Sequence, residues 1–279
     1  MTAAPPPEAL AAFGAGGEPV RLAGGQGTTW RVGDLVLKPV GDPVAHAWVC
    51  DAQATWPARA TVRVPEPVRS AAGAWQHAGW GAHRWLDGAT ARAGDDPDRF
   101  RRCVDDFHAA AAGLAPPAFL AERDDPWSFG ERVAFEGAEP CGSTEVVRLI
   151  ERATAALEPV GALSQVVHGD LGGNVLWTDG RPPAVIDWSP YFRPPGWALA
   201  VVAMDAVCWE GAAPSLLDQW ADVPDWDQLL LRAVVYRLAT RGRFETLGAE
   251  RPGSDGYLAE RGACVDLVIE RLGRKASHG

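Results

Sequence analysis

The most constraining stretch of this chain is Val166-Val167-His168-Gly169-Asp170-Leu171-Gly172-Gly173-Asn174-Val175-Leu176-Trp177, followed shortly by Ala184-Val185-Ile186-Asp187-Trp188. Residues 175–177 and 184–186 are short, apolar and rich in β-formers, and Thr178-Asp179-Gly180 lies between them as a turn. That pattern predicts a hairpin. A loop carrying Asp170 and Asn174 enters the first strand, and Asp187 follows the second. Three oxygen-bearing side chains are thereby drawn to one end of a small hairpin. Phosphoryl transfer needs such a set: one carboxylate to accept a hydroxyl proton, and a carboxylate with an amide oxygen to hold Mg²⁺.

A second signal lies near the start. Of 26 basic residues only Lys38 and Lys275 are lysines. Lysine and arginine are not interchangeable, so a chain that otherwise uses arginine marks position 38 as one suited to a compact ammonium. Residues 18–40 read as three short strands, with a Gly-rich turn at Ala23-Gly24-Gly25-Gln26-Gly27 and a two-residue hairpin turn at Gly33-Asp34. No Gly-Lys-Ser/Thr follows the glycines, and strand rather than helix comes next, so this is neither a Walker nor a Rossmann turn. Asp42-Pro43 predicts a capped helix running to about Ala54. Residues 62–69, with two prolines, read as an irregular edge strand, and residues 74–86 as one further strand closing a five-stranded sheet.

Beyond residue 88 the pattern turns helical. Asp96-Pro97 caps a helix whose apolar stripe is Phe100, Cys103, Val104, Phe107 and Ala111, with His108 beside it as a core or surface histidine. Residues 115–142 read as a long Pro/Gly-rich connection. Val146, Leu149, Ile150 and Ala153 mark the next helix, and 197–209, apolar nearly all round apart from Asp205, a buried central one. Residues 215–272 give two or three amphipathic helices, one carrying Leu229, Leu230, Ala233, Val234 and Arg237.

The loop His168-Gly169-Asp170…Asn174, with a following strand ending in Ile186-Asp187, resembles that of the aminoglycoside/choline phosphotransferase family. The resemblance implies an α+β, protein-kinase-like two-lobe fold. A small antiparallel β-sheet lobe with one helix would occupy 1–86, and a mainly helical lobe carrying the catalytic hairpin 87–279. It implies an ATP-dependent O-phosphotransferase, a kinase acting on a small hydroxyl-bearing substrate that a cationic group would suit. Asp170 would be the catalytic base, and Asn174 and Asp187 the Mg²⁺ ligands. Lys38 would pair with the phosphates, Gly25, Gln26 and Gly27 would cover them, and the backbone of Arg84 and Leu86 would meet the adenine. His168 would be a structural member of the loop. ATP and Mg²⁺ are the implied cofactors.

The chain departs from that pattern in three places. Three residues, not four, separate Asp170 from Asn174; two are glycines, whose conformational freedom lets a shorter loop reach. The helix after Lys38 has no Glu, leaving Asp51, preferred, or His46 as a partner for the lysine, or else both in solvent and Lys38 without a partner from this helix. Ala198 stands where relatives carry an Asp, and Asp205, or a water, is expected to satisfy the loop backbone instead. These departures frame the alternative of a nucleotide-binding pseudoenzyme with a regulatory role, against which stands the retention of Lys38, Asp170, Asn174 and Asp187.

A net charge of −10 argues against nucleic acid or an anionic membrane as partner. No stretch is long and apolar enough to span a bilayer, and Met1–Leu10 lacks the pattern of a secretory signal and is expected to fray. The five scattered cysteines are expected to be reduced thiols, which fits a cytoplasmic protein. Asp218, Asp222, Asp225 and Asp227 cluster at a helix–loop–helix junction. The family uses acids of this region to hold cationic substrates, but solvated or capping carboxylates are the favoured reading.

Overall fold

The computed structural model describes residues 3–23, 27–249 and 257–276. The chain forms two compact units, 1–90 with 174–188, and 91–173 with 189–279. Elements are numbered in chain order through both.

The first unit contains α1 (Pro7–Ala12), β1 (Val20–Arg21), β2 (Trp30–Val32), β3 (Leu35–Pro39), α2 (Pro43–Ala54), β4 (Pro67–Val68), β5 (Gln76–His77), β6 (Trp80–Arg84) and β7 (Ala89–Thr90). From later in the chain it takes the hairpin of β9 (Val175–Trp177) and β10 (Ala184–Val185). Its main sheet is antiparallel in the order β1-β2-β3-β6-β4, with β5 paired to β6. Residues 74–86 are thus a hairpin rather than one strand. Ala78 and Gly79, at φ 49° and 76°, make its turn, a left-handed pair that Ala signals weakly in a sequence.

The expected fray at the N-terminus is instead helix α1. Its Ala9 and the following Phe13 pack with Val32, Leu35, Leu37, Trp80 and Ala82 into one buried cluster on the sheet. Burial of these side chains offsets the ordering entropy of a short segment. Among the described residues the unit therefore holds two helices, α1 beside α2, where one is expected. Helix α2 begins as the sequence predicts, with Asp42 accepting the N–H groups of Val44 and Ala45.

The late hairpin is stitched into this unit. β9 pairs antiparallel with β10 and β7, Arg63 N–H donates to Pro183 O, and Val185 N–H donates to Arg63 O.

The second unit contains α3 (Pro97–Ala111), α4 (Pro126–Glu136), α5 (Thr144–Thr154), β8 (Gln165–His168), β11 (Pro190–Arg193), α6 (Pro195–Trp209), α7 (Leu216–Gln219), α8 (Trp226–Thr246) and α9 (Tyr257–Ala276). α6 is buried along Trp197–Ala206, as its all-round apolar pattern predicts. α8 is buried on nearly every side as well. β8 and β11 pair antiparallel, placing His168 opposite Pro190.

Two expectations are corrected here. The connection 115–142 contains helix α4, with a capping box between Asp125 and Ser128 and a left-handed Gly137 at its end. Gly130 lets this helix lie directly on α8: a Cβ there would meet Tyr236 O at 2.6 Å and Thr240 N at 3.0 Å. The cysteines are not all free. Cys208 at the end of α6 and Cys264 on α9 form a disulfide across 56 residues of sequence. Cys50, Cys103 and Cys141 are free thiols, the first two buried and held up at about 12, mainly by burial.

Candidate active site

In the first unit, β3 carries Lys38 opposite Gly81 of β6. Its ammonium pairs with Asp187 Oδ1 at 2.7 Å. The two side chains are 35% and 55% exposed, so solvent screens the pair, and its stabilisation is at most about 1 kcal/mol. Its meaning is positional: the one lysine of the chain body meets the one carboxylate that follows the hairpin.

Asp187 sits at φ 53°, in the left-handed region. Asp tolerates this conformation better than most residues, but it persists where surroundings impose it. Here Ile186 N–H donates to Asn174 O at 2.9 Å, which sets Asn174 across the hairpin from the residue before Asp187. On the other side Trp188 is wedged edge-on between Trp48 and Trp56, at 5.5 and 5.8 Å between ring centres. Asn174, Asp187 and Lys38 are thus brought together in one unit.

The partner proposed for Lys38 from helix α2 is not found. Asp51 accepts from Trp75 Nε1 at 2.8 Å and lies 3.8 Å from Arg69. His46 Nε2 meets Trp75 O, and its ring occupies the space a side chain at position 81 would need. His83, whose Nε2 lies 3.0 Å from Gln53 Oε1, is pushed down to about 4 by burial first, then by the neighbouring His46 and Lys38. A largely neutral His–Gln–Cys set therefore fills the space beneath the strand lysine, and Asp187 supplies its charge partner.

The remaining first-unit residues divide. Gly27, at φ 64°, accepts Arg21 Nε on its carbonyl at 2.7 Å, while Gly25 and Gln26 lie outside the described residues. The Arg84 N–H is taken by Glu66 O at 2.8 Å. No hydrogen bond is present at Leu86 among the described residues, so of the two only Leu86 has its amide open to a base.

In the second unit, Asp170 follows β8 in a loop pinned from behind. Asp170 N–H donates to His168 Nδ1 at 3.1 Å, and His168 N–H donates to His108 Nε2 at 3.3 Å. Both histidines are buried, and burial, with His168 adjacent, pushes His108 down to about 3. His108 is thus a core residue that orders the loop. Gly169 N–H donates to Ser189 O, and the Tyr191 ring fills the space where a Gly169 side chain would be.

The Asp170 carboxylate is 44% exposed and its Oδ1 accepts Arg237 Nη2 at 2.8 Å. Asp205 is buried, as expected, but its partners are Arg237 and Arg261, not the loop backbone. Sequence reasoning missed Arg237 as a site residue, although an arginine on the apolar stripe of a helix signals a buried partner.

The four clustered aspartates are committed to structure. Asp222 is held by both Arg101 terminal nitrogens at 2.6 and 2.7 Å, and Asp218 and Asp227 share Arg271. Asp225 accepts the amides of Gly161 and Ala162. Ion pairing to arginine thus accounts for Asp218, Asp222 and Asp227, and loop amides for Asp225, whose side chain makes no cap hydrogen bond on α8.

No family model matches the sequence, and no curated protein does. Solved structures do match. A thermostable mutant of aminoglycoside phosphotransferase APH(4)-Ia, in ternary complex with AMP-PNP and hygromycin B, superposes at TM-score 0.56 with 17% identity, over 93% of this chain and 96% of that one. Choline kinase LicA from Streptococcus pneumoniae superposes at 0.59 with 11% identity, over 91% and 93%. The fold is that of the aminoglycoside phosphotransferases and choline kinases. Spectinomycin phosphotransferase APH(9)-Ia, in complex with ADP and spectinomycin, shares this phosphotransferase fold at TM-score 0.53 and 11% identity, over 90% and 92%.

Proposed function

We propose that the protein is an ATP-dependent O-phosphotransferase acting on a small hydroxyl-bearing molecule. The observation that carries this reading is the Lys38–Asp187 contact at 2.7 Å beside Asn174, on a hairpin whose Asp is held at φ 53°. It joins residues 149 positions apart in the chain (187 − 38).

The donors fit the group. One carboxylate and one amide oxygen are hard ligands of the kind Mg²⁺ takes, and Mg²⁺ keeps waters and phosphate oxygens for the rest of its shell. The described residues hold no cluster of three or more His, Cys, Asp or Glu that would favour another metal. Asn174 and Asp187 would hold Mg²⁺, which supplies charge neutralisation on the phosphate oxygens. Lys38 adds a compact cation for the same phosphates, and the Leu86 backbone meets the base. Asp170 orients the acceptor hydroxyl and receives its proton. Most of the rate comes from positioning and electrostatics rather than covalent chemistry.

The test is a titration of Mg²⁺-ATP into wild type and Asp187→Ala, followed by thermal stability, with ADP release measured against a panel of hydroxyl compounds. Mg²⁺-dependent stabilisation lost in the variant, and turnover lost in Asp170→Ala, is the expected result. Binding without turnover across a broad panel would favour the pseudoenzyme. No binding would remove the nucleotide reading altogether.

A further inference from the structure

Arg237 lies in the buried middle of α8 and is itself 7% exposed. A guanidinium there is costly unless its hydrogen-bonding fork is filled. Asp205 of α6 fills one side: Arg237 Nε lies 3.2 Å from both Asp205 oxygens, and Nη2 contacts Oδ2. This is the side-on, two-nitrogen geometry that fixes a planar guanidinium. Nη2 also donates to Asp170 Oδ1 at 2.8 Å. Asp205 is steadied from its far side by Arg261, fully buried 3.6 Å away, whose own guanidinium lies 3.2 Å over the Trp209 ring. Burial works against the charge on Arg237, and Asp205 and Asp170 overcome it, holding the group well above the ordinary arginine value.

We propose that Arg237 is the positioning residue for Asp170: held rigidly by Asp205, it orients the carboxylate that receives the acceptor proton. This rests on the phosphotransferase reading above. Asp170 sits on a loop with glycines at 169, 172 and 173 and a side chain nearly half in solvent. Such a carboxylate would sample several rotamers, and a loose phosphoryl transition state gains more from a correctly aimed hydroxyl than from a strong base. Fixing Oδ1 on a buried arginine removes that freedom. The anchor comes from α6 and α8, rigid elements, rather than from the loop itself.

The test uses the full-length protein with Arg237→Gln, Arg237→Lys, Asp205→Asn, the double variant Arg237→Gln/Asp205→Asn, and Asp170→Asn. Expected is a fall in kcat of about 100-fold for Arg237→Gln, with KM for Mg²⁺-ATP within about twofold of wild type. Partial recovery in Arg237→Lys and a drop of about tenfold in Asp205→Asn are expected alongside it. The double variant decides against a merely structural role, because it removes the Arg237–Asp205 pair together, and Asp205→Asn alone carries the separate effect of taking the Asp205 charge from buried Arg261. If Arg237 only neutralises Asp205, the double variant has at least the kcat of Asp205→Asn and the inference is overturned; if it positions Asp170, kcat stays at the level of Arg237→Gln. The double variant also covers the case in which Arg237→Gln fails to fold. Wild-type turnover in Asp170→Asn would overturn the role of Asp170 as proton acceptor and the inference with it, whereas no turnover in the wild type across the panel overturns the phosphotransferase reading on which both rest. Loss of turnover in Asp170→Asn with an active double variant overturns the inference alone. A readout independent of turnover is the ¹⁵N signal of the Arg237 guanidinium, which should shift on Asp170→Asn. An unmoved signal means that the contact is absent.

Discussion

At the scale of single residues, Gly169 shows how tightly the loop is built. A side chain there would run into the Tyr191 ring, and that ring cannot retreat. It is buried against Trp197 and Tyr236, at 5.3 and 6.2 Å between ring centres. Overpacking of this kind costs about 1–3 kcal/mol. Gly169→Ala should therefore lower the unfolding free energy by that amount, read as a lower denaturant midpoint at unchanged m-value, and an unchanged midpoint would show that the ring yields. At the same scale, Lys38→Arg tests whether position 38 needs an ammonium. The planar guanidinium does not reproduce a compact point charge, so Mg²⁺-ATP should bind at least about tenfold more weakly by calorimetry, equal affinity showing that charge alone suffices. The residues proposed to carry chemistry are legible as candidates because each is an unusual choice in its place: a lone lysine, an Asp after a strand, a His-Gly-Asp run. Arg237 and Asp205 were not legible as a pair. Each looks like one polar residue on an apolar helix, and their meeting depends on the register between α6 and α8, which no local pattern encodes.

At the scale of elements, the Asp-Pro caps of α2 and α3 and the β9–β10 hairpin were readable, because capping and turn chemistry are local. Helix α4 was hidden among prolines and glycines, although the same Asp-Pro cap begins it at Asp125. Its Gly130 gives a prediction with an unusual sign. Alanine is the better helix former by about 1 kcal/mol, so an exposed Gly→Ala would stabilise. Here the new methyl would press on Tyr236 O and Thr240 of α8, and Gly130→Ala should destabilise by about 1–3 kcal/mol in urea unfolding. The disulfide was equally unreadable, since its cysteines are 56 residues apart and join only when α6 packs beside α9. Removing it with Cys208→Ala/Cys264→Ala should cost about 2–4 kcal/mol through the freed unfolded chain. Calorimetry of oxidised and reduced wild type checks this, and identical melting would mean that the link adds nothing.

At the scale of the whole molecule, the candidate loop is divided: Asp170 belongs to one compact unit, and Asn174, Asp187 and Lys38 to the other. Each unit also holds a histidine whose charged form is disfavoured, buried His108 in the second and partly buried His83 in the first, and this sets the response to acid. His108 in the second unit is pushed from about 6.5 down to about 3, and His83 in the first down to about 4. Both shifts lower the folded value, so below about pH 6.5 the unfolded chain binds protons that the folded one refuses. Stability is then fully present above pH 6.5 and is lost as pH falls, at about 1.4 kcal/mol per pH unit for each histidine. Asp105, Glu131 and Glu210 work in the opposite sense, because burial raises their values and the folded chain holds their protons more tightly. They offset part of the histidine effect between about pH 6.5 and 5, so the histidine contribution is read from the difference between wild type and a histidine variant. Urea midpoints measured across that interval should fall steadily. His108→Gln, which keeps an acceptor for the His168 amide, should flatten the slope by one proton's worth. An unaltered slope in that variant would show that His108 is protonated in the folded protein and that its place behind the Asp170 loop is solvated rather than buried.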